Sequence, residues 1–229
     1  NRLGMYKTFG QCPEKDKIIE AIKKMSSLLY LEDSAMIADR DADRQEQRIA
    51  EELLRINSAC VAPILNFGDE EIYALLDETG TDHDKYAAVK NLCLSNISIV
   101  TGRAGTGKSK VIELIVDMCK KYAPELKISV CATTGKAAGN LSDGGKLKAV
   151  TVHSLLHLDP SRPSRFPQKT DDDIVILDET SMLDPALAVS LFSSIKTGAR
   201  LVMIGDNNQL PPVEKMATAI PRALDGGSD

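Results

Sequence analysis

Thr101-Gly102-Arg103-Ala104-Gly105-Thr106-Gly107-Lys108-Ser109 decides the architecture of this 229-residue chain. The stretch is a complete G-x-x-x-x-G-K-S phosphate loop, preceded by apolar Ile97-Ser98-Ile99-Val100 and followed by the amphipathic run Lys108 to Lys121. Gly102, Gly105 and Gly107 let the backbone wrap closely around phosphate oxygens with successive N–H groups pointing inward. The helix behind the loop adds its positive N-terminal end. Lys108 supplies a point charge to the β- and γ-phosphates, and Ser109 offers a hydroxyl to magnesium. A nucleoside triphosphate with Mg2+ is therefore the expected ligand, held by Gly102, Ala104, Gly105, Thr106, Gly107, Lys108 and Ser109.

Working outward, strand, turn and helix recur from about residue 91. Ile97 to Val100 reads as a strand, and Lys108 to Lys121 as a helix with Val111, Ile112, Leu114, Ile115 and Met118 facing inward. Lys127 to Ala132, Ile174 to Leu177 and Arg200 to Ile204 are further strands, with helices starting near Lys136 and Asp184. Ile174-Val175-Ile176-Leu177 is apolar at every position, as a strand covered on both faces must be. The predicted fold is α/β, an open parallel sheet with helices on both sides.

Upstream the periodicity is helical. Ile18, Ile22, Met25 and Leu29 recur within Glu14 to Tyr30, and Ile49, Leu53 and Leu54 share one side of Arg44 to Ile56. Leu29-Tyr30-Leu31 is a candidate small strand, and Asp69 to Leu76 a short helix. The expected organisation is a small, mainly helical domain over residues 1–90 and an ATP-binding domain over 91–229. Leu158 to Gln168, with three prolines and two arginines, reads as a loop or tight hairpin.

Two later segments carry chemistry. Asp178-Glu179 ends the apolar strand, where ligands of open α/β sheets bind. Asp178 is placed to hold magnesium through water and Glu179 to polarise an attacking water. Gln209 follows the last strand in Gly205-Asp206-Asn207-Asn208-Gln209-Leu210-Pro211-Pro212, a position from which an amide senses a γ-phosphate. Asp171 to Asp173 read instead as a solvated lead-in to the strand.

Composition narrows the classes. The chain is 43% hydrophobic and 27% charged, ordinary for a soluble globular protein. No apolar run approaches the roughly 18 residues that span a membrane, and no secretion signal opens the chain. Five scattered cysteines without a C-x-x-C pair point to a reducing cytoplasm and away from zinc. Asn96-Ile97-Ser98 and Asn140-Leu141-Ser142 match a glycosylation pattern only by chance. Residues 1–90 carry 12 Lys/Arg against 18 Asp/Glu, and residues 91–229 carry 16 against 15. No bulk basic field for duplex DNA exists, so any nucleic-acid contact must come from a local groove.

The order of Gly102 to Ser109, Thr133-Thr134-Gly135-Lys136-Ala137-Ala138, Thr151-Val152-His153-Ser154-Leu155-Leu156, Asp178 to Asp184 and Gly205 to Pro212 resembles motifs I, Ia, a Thr-x-His element, II and III of superfamily 1 DNA helicases. The likeness is greatest to the RecD-like branch, with relaxase-linked conjugative helicases next. Tyr30-Leu31 followed by Glu46 to Leu54 also resembles the helical region before the RecD-like motor. The resemblance implies a RecA-like phosphate-loop domain. It assigns catalysis to Lys108, Asp178, Glu179 and Gln209, with Ser109 and Asp178 serving the metal. Thr133, Thr134, Gly135 and Lys136, helped by His153, would hold single-stranded DNA, a set suited to phosphate contacts that ignore base identity.

It further implies 5′-to-3′ movement and partners in DNA repair, recombination or conjugation. Two departures stand out. Asp82 to Val89 lacks the Gln with which relatives read adenine, leaving Tyr86 as the candidate for stacking on the base. A second RecA-like domain with its arginine finger is not present in the 229 residues, so weak hydrolysis is expected of them alone. The competing class is a stand-alone phosphate-loop switch or scaffold; a small-molecule kinase would need an acceptor lid, which nothing here resembles.

Overall fold

The computed structural model describes residues 19–20, 23–25, 27–31, 36–59, 68–103, 105–143, 145–158 and 168–206. The chain divides into two compact units, residues 1–47 and residues 48–229. The boundary drawn from sequence at residue 90 thus lies inside the second unit.

In the first unit, β1 (Leu28–Leu31) pairs antiparallel with β2 (Met36–Asp39), Leu28 opposite Asp39 and Leu31 opposite Met36. The small strand foreseen at Leu29 to Leu31 is therefore real, and the chain is no longer helical by residue 28. Asp39 Oδ1 accepts the backbone N–H groups of Asp41 (2.8 Å) and Ala42 (3.3 Å), which caps the start of α1 (Arg40–Asn57).

The second unit is built on five parallel strands. They are β3 (Ile97–Thr101), β4 (Ile128–Ala132), β5 (Ala149–Thr151), β6 (Ile174–Asp178) and β7 (Arg200–Gly205), in the spatial order β3-β7-β6-β4-β5. All four neighbouring pairs run parallel. Consecutive residues of the central strands enter opposite cores, as the period-2 geometry of a strand requires. Ile174, Ile176, Val202 and Ile204 face one core with α2 (Asp69–Glu78), α3 (Tyr86–Leu94) and α4 (Lys108–Tyr122). Val175, Leu177, Leu201 and Met203 face the other, packed with Leu191 and Phe192 of α7 (Pro185–Ser194). Helices on both faces explain why β6 is apolar up to its final Asp178: Ile174 to Leu177 are each 0% exposed.

The helix read as Arg44 to Ile56 extends over all of α1, and its stripe of Ile49, Leu53 and Ile56 belongs to the core shared with α7. Arg55 bridges the same place. Its guanidinium donates to the carbonyls of Phe192 (2.9 Å) and Ile195 (2.8 Å), satisfying the C-terminal end of α7, and to Glu52 Oε2 (2.6 Å).

Two further helices of the second unit are α5 (Gly135–Ser142) and α6 (Val152–Leu155), each capped at its start by a threonine hydroxyl. Asp171 to Asp173 are an ion-paired clamp: Lys196 meets Asp173 at 2.8 Å, Lys127 bonds Asp171, and Ser129 bonds Asp172 at 2.8 Å. Cys93, Cys119 and Cys131 are buried free thiols, and burial pushes Cys119 and Cys131 up to about 12, far from reactive thiolates. Among the described residues no helix is long and apolar enough to cross a membrane.

Candidate nucleotide-binding site

The phosphate loop leaves β3 and turns on two glycines that no other residue replaces without strain. Gly105 has φ 82° and Gly107 φ 81°, both in the left-handed region. At Gly102 a Cβ would stand 2.6 Å from Thr106 Oγ1, whose hydroxyl donates to the Arg103 carbonyl at 2.8 Å. Gly107 is the N-cap of α4, and its carbonyl accepts from Lys110 N (3.0 Å) and Val111 N (3.2 Å). The loop and the helix start are thus one hydrogen-bonded unit. Lys108 Nζ donates to the carbonyls of Gly102 (2.5 Å) and Arg103 (2.9 Å), so its ammonium lies across the mouth of the loop.

Asp178 closes β6, level with Ala132 at the end of β4. Burial pushes its carboxyl above the ordinary carboxylate range, while the Glu179 N–H and the Lys108 charge pull it back. Glu179 is one of two described non-glycine residues at positive φ (54°, ψ 41°). An L-residue held there stores roughly 1–3 kcal/mol, and such outliers persist where the surroundings determine them. The short 3₁₀ turn Thr180–Met182 follows. Thr180 Oγ1 donates to the carbonyl of Ile204 at 3.0 Å, and Gly102 N donates to that of Gly205 at 3.2 Å. The end of β7 is therefore bonded to both the acidic loop and the phosphate loop.

Gly105, Gly107, Lys108 and Ser109 from the loop, Asp178 and Glu179 from β6, and Ala137, Asn140 and Leu141 from α5 line one cavity of about 390 Å³. The chemistry gathered there is a backbone cradle, one ammonium, one hydroxyl, one amide and two carboxylates. Thr134 connects this cavity to the candidate DNA segment. Its hydroxyl oxygen accepts from Ala137 N at 3.2 Å, and its hydrogen points to Glu179 Oε2 at a long 3.5 Å. Thr134 is thus both the N-cap of α5 and a neighbour of the acidic pair.

The other candidates fall elsewhere. Gly135 and Lys136 are exposed at the start of α5, and His153 is exposed on α6. The Thr133 hydroxyl is buried with no partner among the described residues. Tyr86 stacks on Tyr73 with centroids 4.7 Å apart and an interplanar angle of 9°, and does not line the cavity. Its neighbour Lys85 is the residue against the loop, its Cε 3.3 Å from where a Gly107 Cβ would stand. Ala104 and Gln209 lie outside the described residues, as does most of the hairpin expected between Leu158 and Gln168. Sequence reasoning missed the α5 wall. The only signal was that Ala137, Asn140 and Leu141 share one helical face.

Asp178→Asn separates folding from function at this site. A carboxyl raised in the folded state favours folding most below its unfolded value of about 3.9, and that contribution disappears as pH rises through the folded value. At neutral pH the buried charge opposes folding. The amide variant is expected to melt at an equal or higher temperature at pH 7, with the two proteins converging below about pH 4. Its affinity for Mg2+–nucleotide is expected to fall at the same time. Thermal melts at both pH values, with and without Mg2+–ATP, check this; a clearly lower melting temperature at pH 7 would contradict it.

The sheet order and this cavity define a RecA-like phosphate-loop nucleotide-binding domain. Residues 85–215 match the family described as AAA domain, and the chain belongs to that family. It is similar to the ATP-dependent RecD2 DNA helicase of Deinococcus radiodurans, 34% identical over 137 residues that cover 59% of this chain and 19% of that protein. It is also similar to the RecBCD enzyme subunit RecD of Mycobacterium tuberculosis, 32% identical over 162 residues, covering 59% of this chain and 28% of that one. The chain is therefore RecD-like in sequence, and it spans less than a third of the length of these curated relatives. Among solved structures it resembles the Pif1 helicase from Bacteroides in complex with ADP-AlF3 and ssDNA, with TM-score 0.42 and 25% identity over 63% of this chain and 37% of that one.

Proposed function

We propose that the chain contains the first motor domain of a RecD-like, ATP-dependent DNA helicase that moves along single-stranded DNA in the 5′-to-3′ direction. The observation that carries this is the meeting of Lys108 and Ser109 with Asp178 and Glu179 around one cavity. The similarity to RecD-type helicases supports the choice of a DNA motor over other phosphate-loop enzymes.

The residues fit ATP with Mg2+. Gly105 and Gly107, both at left-handed φ, shape a backbone turn that other residues would strain, and the Ser109 hydroxyl and Asp178 carboxylate are the hard oxygen donors magnesium takes. The ion, when bound, neutralises charge on the phosphates. Lys108 leaves the carbonyls of Gly102 and Arg103 to meet the β- and γ-phosphates. Glu179 orients the water and takes its proton; Gln209 joins the γ-phosphate to the DNA side. Thr133, Thr134, Gly135 and Lys136, with His153, hold the strand by its phosphates, and Tyr86 remains the candidate for the base. In this reading residues 1–90 are accessory to the motor in 91–229, the protein works in the cytoplasm, and its partners are repair, recombination or conjugation proteins.

The test is the rate of ATP hydrolysis with and without an oligodeoxythymidine, measured on the whole protein that carries this domain. A motor is expected to respond by at least about tenfold, the scale of a coupling of 1–3 kcal/mol. Indifference to DNA at saturating ATP would favour the alternative, a nucleotide-dependent switch that unwinds nothing.

A further inference from the structure

The α5 wall of the cavity holds one polar side chain that none of the roles above uses. Ala137 and Leu141 are buried at 4% and 6% exposure, while Asn140, beside them on the same face, lines the cavity together with Lys108 and Ser109. The Asn140 amide has no hydrogen-bond partner among the described residues. Asparagine is a weak helix former because its amide competes for backbone groups, so its place within an eight-residue helix is not explained by propensity.

We propose that Asn140 is a nucleotide-binding residue that donates its amide N–H to the terminal phosphate of a bound nucleoside triphosphate. The inference rests on reading the cavity as the triphosphate site. The loop N–H groups wrap the inner phosphates. What crosses the cavity toward Asp178, Glu179 and α5 is the outer end of the triphosphate chain. An amide suits that position: it offers two donors and brings no charge to a region that already holds two carboxylates. A diphosphate lacks the group that Asn140 meets, so Asn140 distinguishes the two nucleotide states. Because α5 begins at the Thr134 cap, beside Gly135 and Lys136, the same short helix meets the γ-phosphate at one end and the candidate DNA contacts at the other.

Calorimetric titration of the chain with Mg2+ and a non-hydrolysable ATP analogue, and separately with Mg2+–ADP, tests this in the wild type, Asn140→Ala and Asn140→Asp. Asn140 is exposed and alanine favours helix, so the first variant keeps the fold. Loss of a hydrogen bond to a charged group is expected to weaken the triphosphate analogue about tenfold in Asn140→Ala, with ADP changed less than about twofold. Asn140→Asp adds like charge and is expected to weaken the analogue further, again more than ADP. Equal loss for both nucleotides, or no loss for either, overturns the proposal. If the wild type binds neither nucleotide, the reading of the cavity itself fails, and that outcome is separate from the other two.

Discussion

Lys108→Ala is expected to remove measurable Mg2+–ATP binding, a loss of at least about a hundredfold in affinity, or about 2.7 kcal/mol. Lys108 is the one cation among the residues lining the cavity, and the ligand carries several negative charges. A hydrogen bond to a charged group contributes about 1.5–3 kcal/mol, and an ammonium that meets two phosphates makes more than one. The variant should fold, because Lys108 stands in the first turn of α4, where only its Nζ bonds to Gly102 and Arg103 are lost. Calorimetry reads the affinity and circular dichroism the fold. Affinity within about threefold of the wild type would remove Lys108, and with it the phosphate-loop assignment, from nucleotide binding.

Made in the whole helicase that carries this motor domain, Glu179→Gln is expected to leave Mg2+–ATP affinity nearly intact and to slow hydrolysis in the presence of single-stranded DNA by about 10²- to 10⁴-fold, the usual contribution of a general base. The amide keeps the size of the side chain but accepts no proton at neutral pH. The backbone also favours this substitution over Glu179→Ala. At φ 54° the residue is already strained, and the packing that holds it includes the Thr134 hydroxyl at 3.5 Å. An isosteric change disturbs that least. Near-normal turnover in the variant would exclude Glu179 as the base and shift attention to the other carboxylate, Asp178.

Most of the second unit was readable because its strands are apolar and its turns are chemically marked. β3, β4, β6 and β7 lie within one residue of their expected spans, since a strand buried on both faces is a short apolar block ended by a turn or a charge. β5 was missed because three residues are too few to show a period. α3 was missed for another reason: Asp82 to Val89 reads as the place of an absent glutamine, yet Val89, Leu92 and Cys93 bury one face of the helix that begins at Tyr86. The partner of α1 was hidden too. The stripe of Ile49, Leu53 and Ile56 announces a buried helical face but not its partner, and that partner is α7, more than 130 residues later.

The site shows the same contrast. Motif residues announce themselves by spacing, and the structure brings six of them to one cavity: Gly105, Gly107, Lys108, Ser109, Asp178 and Glu179. What spacing does not carry is the third wall. Asn140 enters because β4 lies beside β6, so the helix that follows β4 passes over the acid end of β6. The Thr134–Glu179 contact arises from the same adjacency.

The strand β7 separates β3 from β6, and its last two carbonyls are hooked to opposite neighbours, Gly205 to the glycine that opens the phosphate grip and Ile204 to the threonine beside the acids. The gap across which a nucleotide would be squeezed is therefore gauged by a single peptide unit. The pitch of this one strand is thus the ruler that sets the span between the two halves of the site.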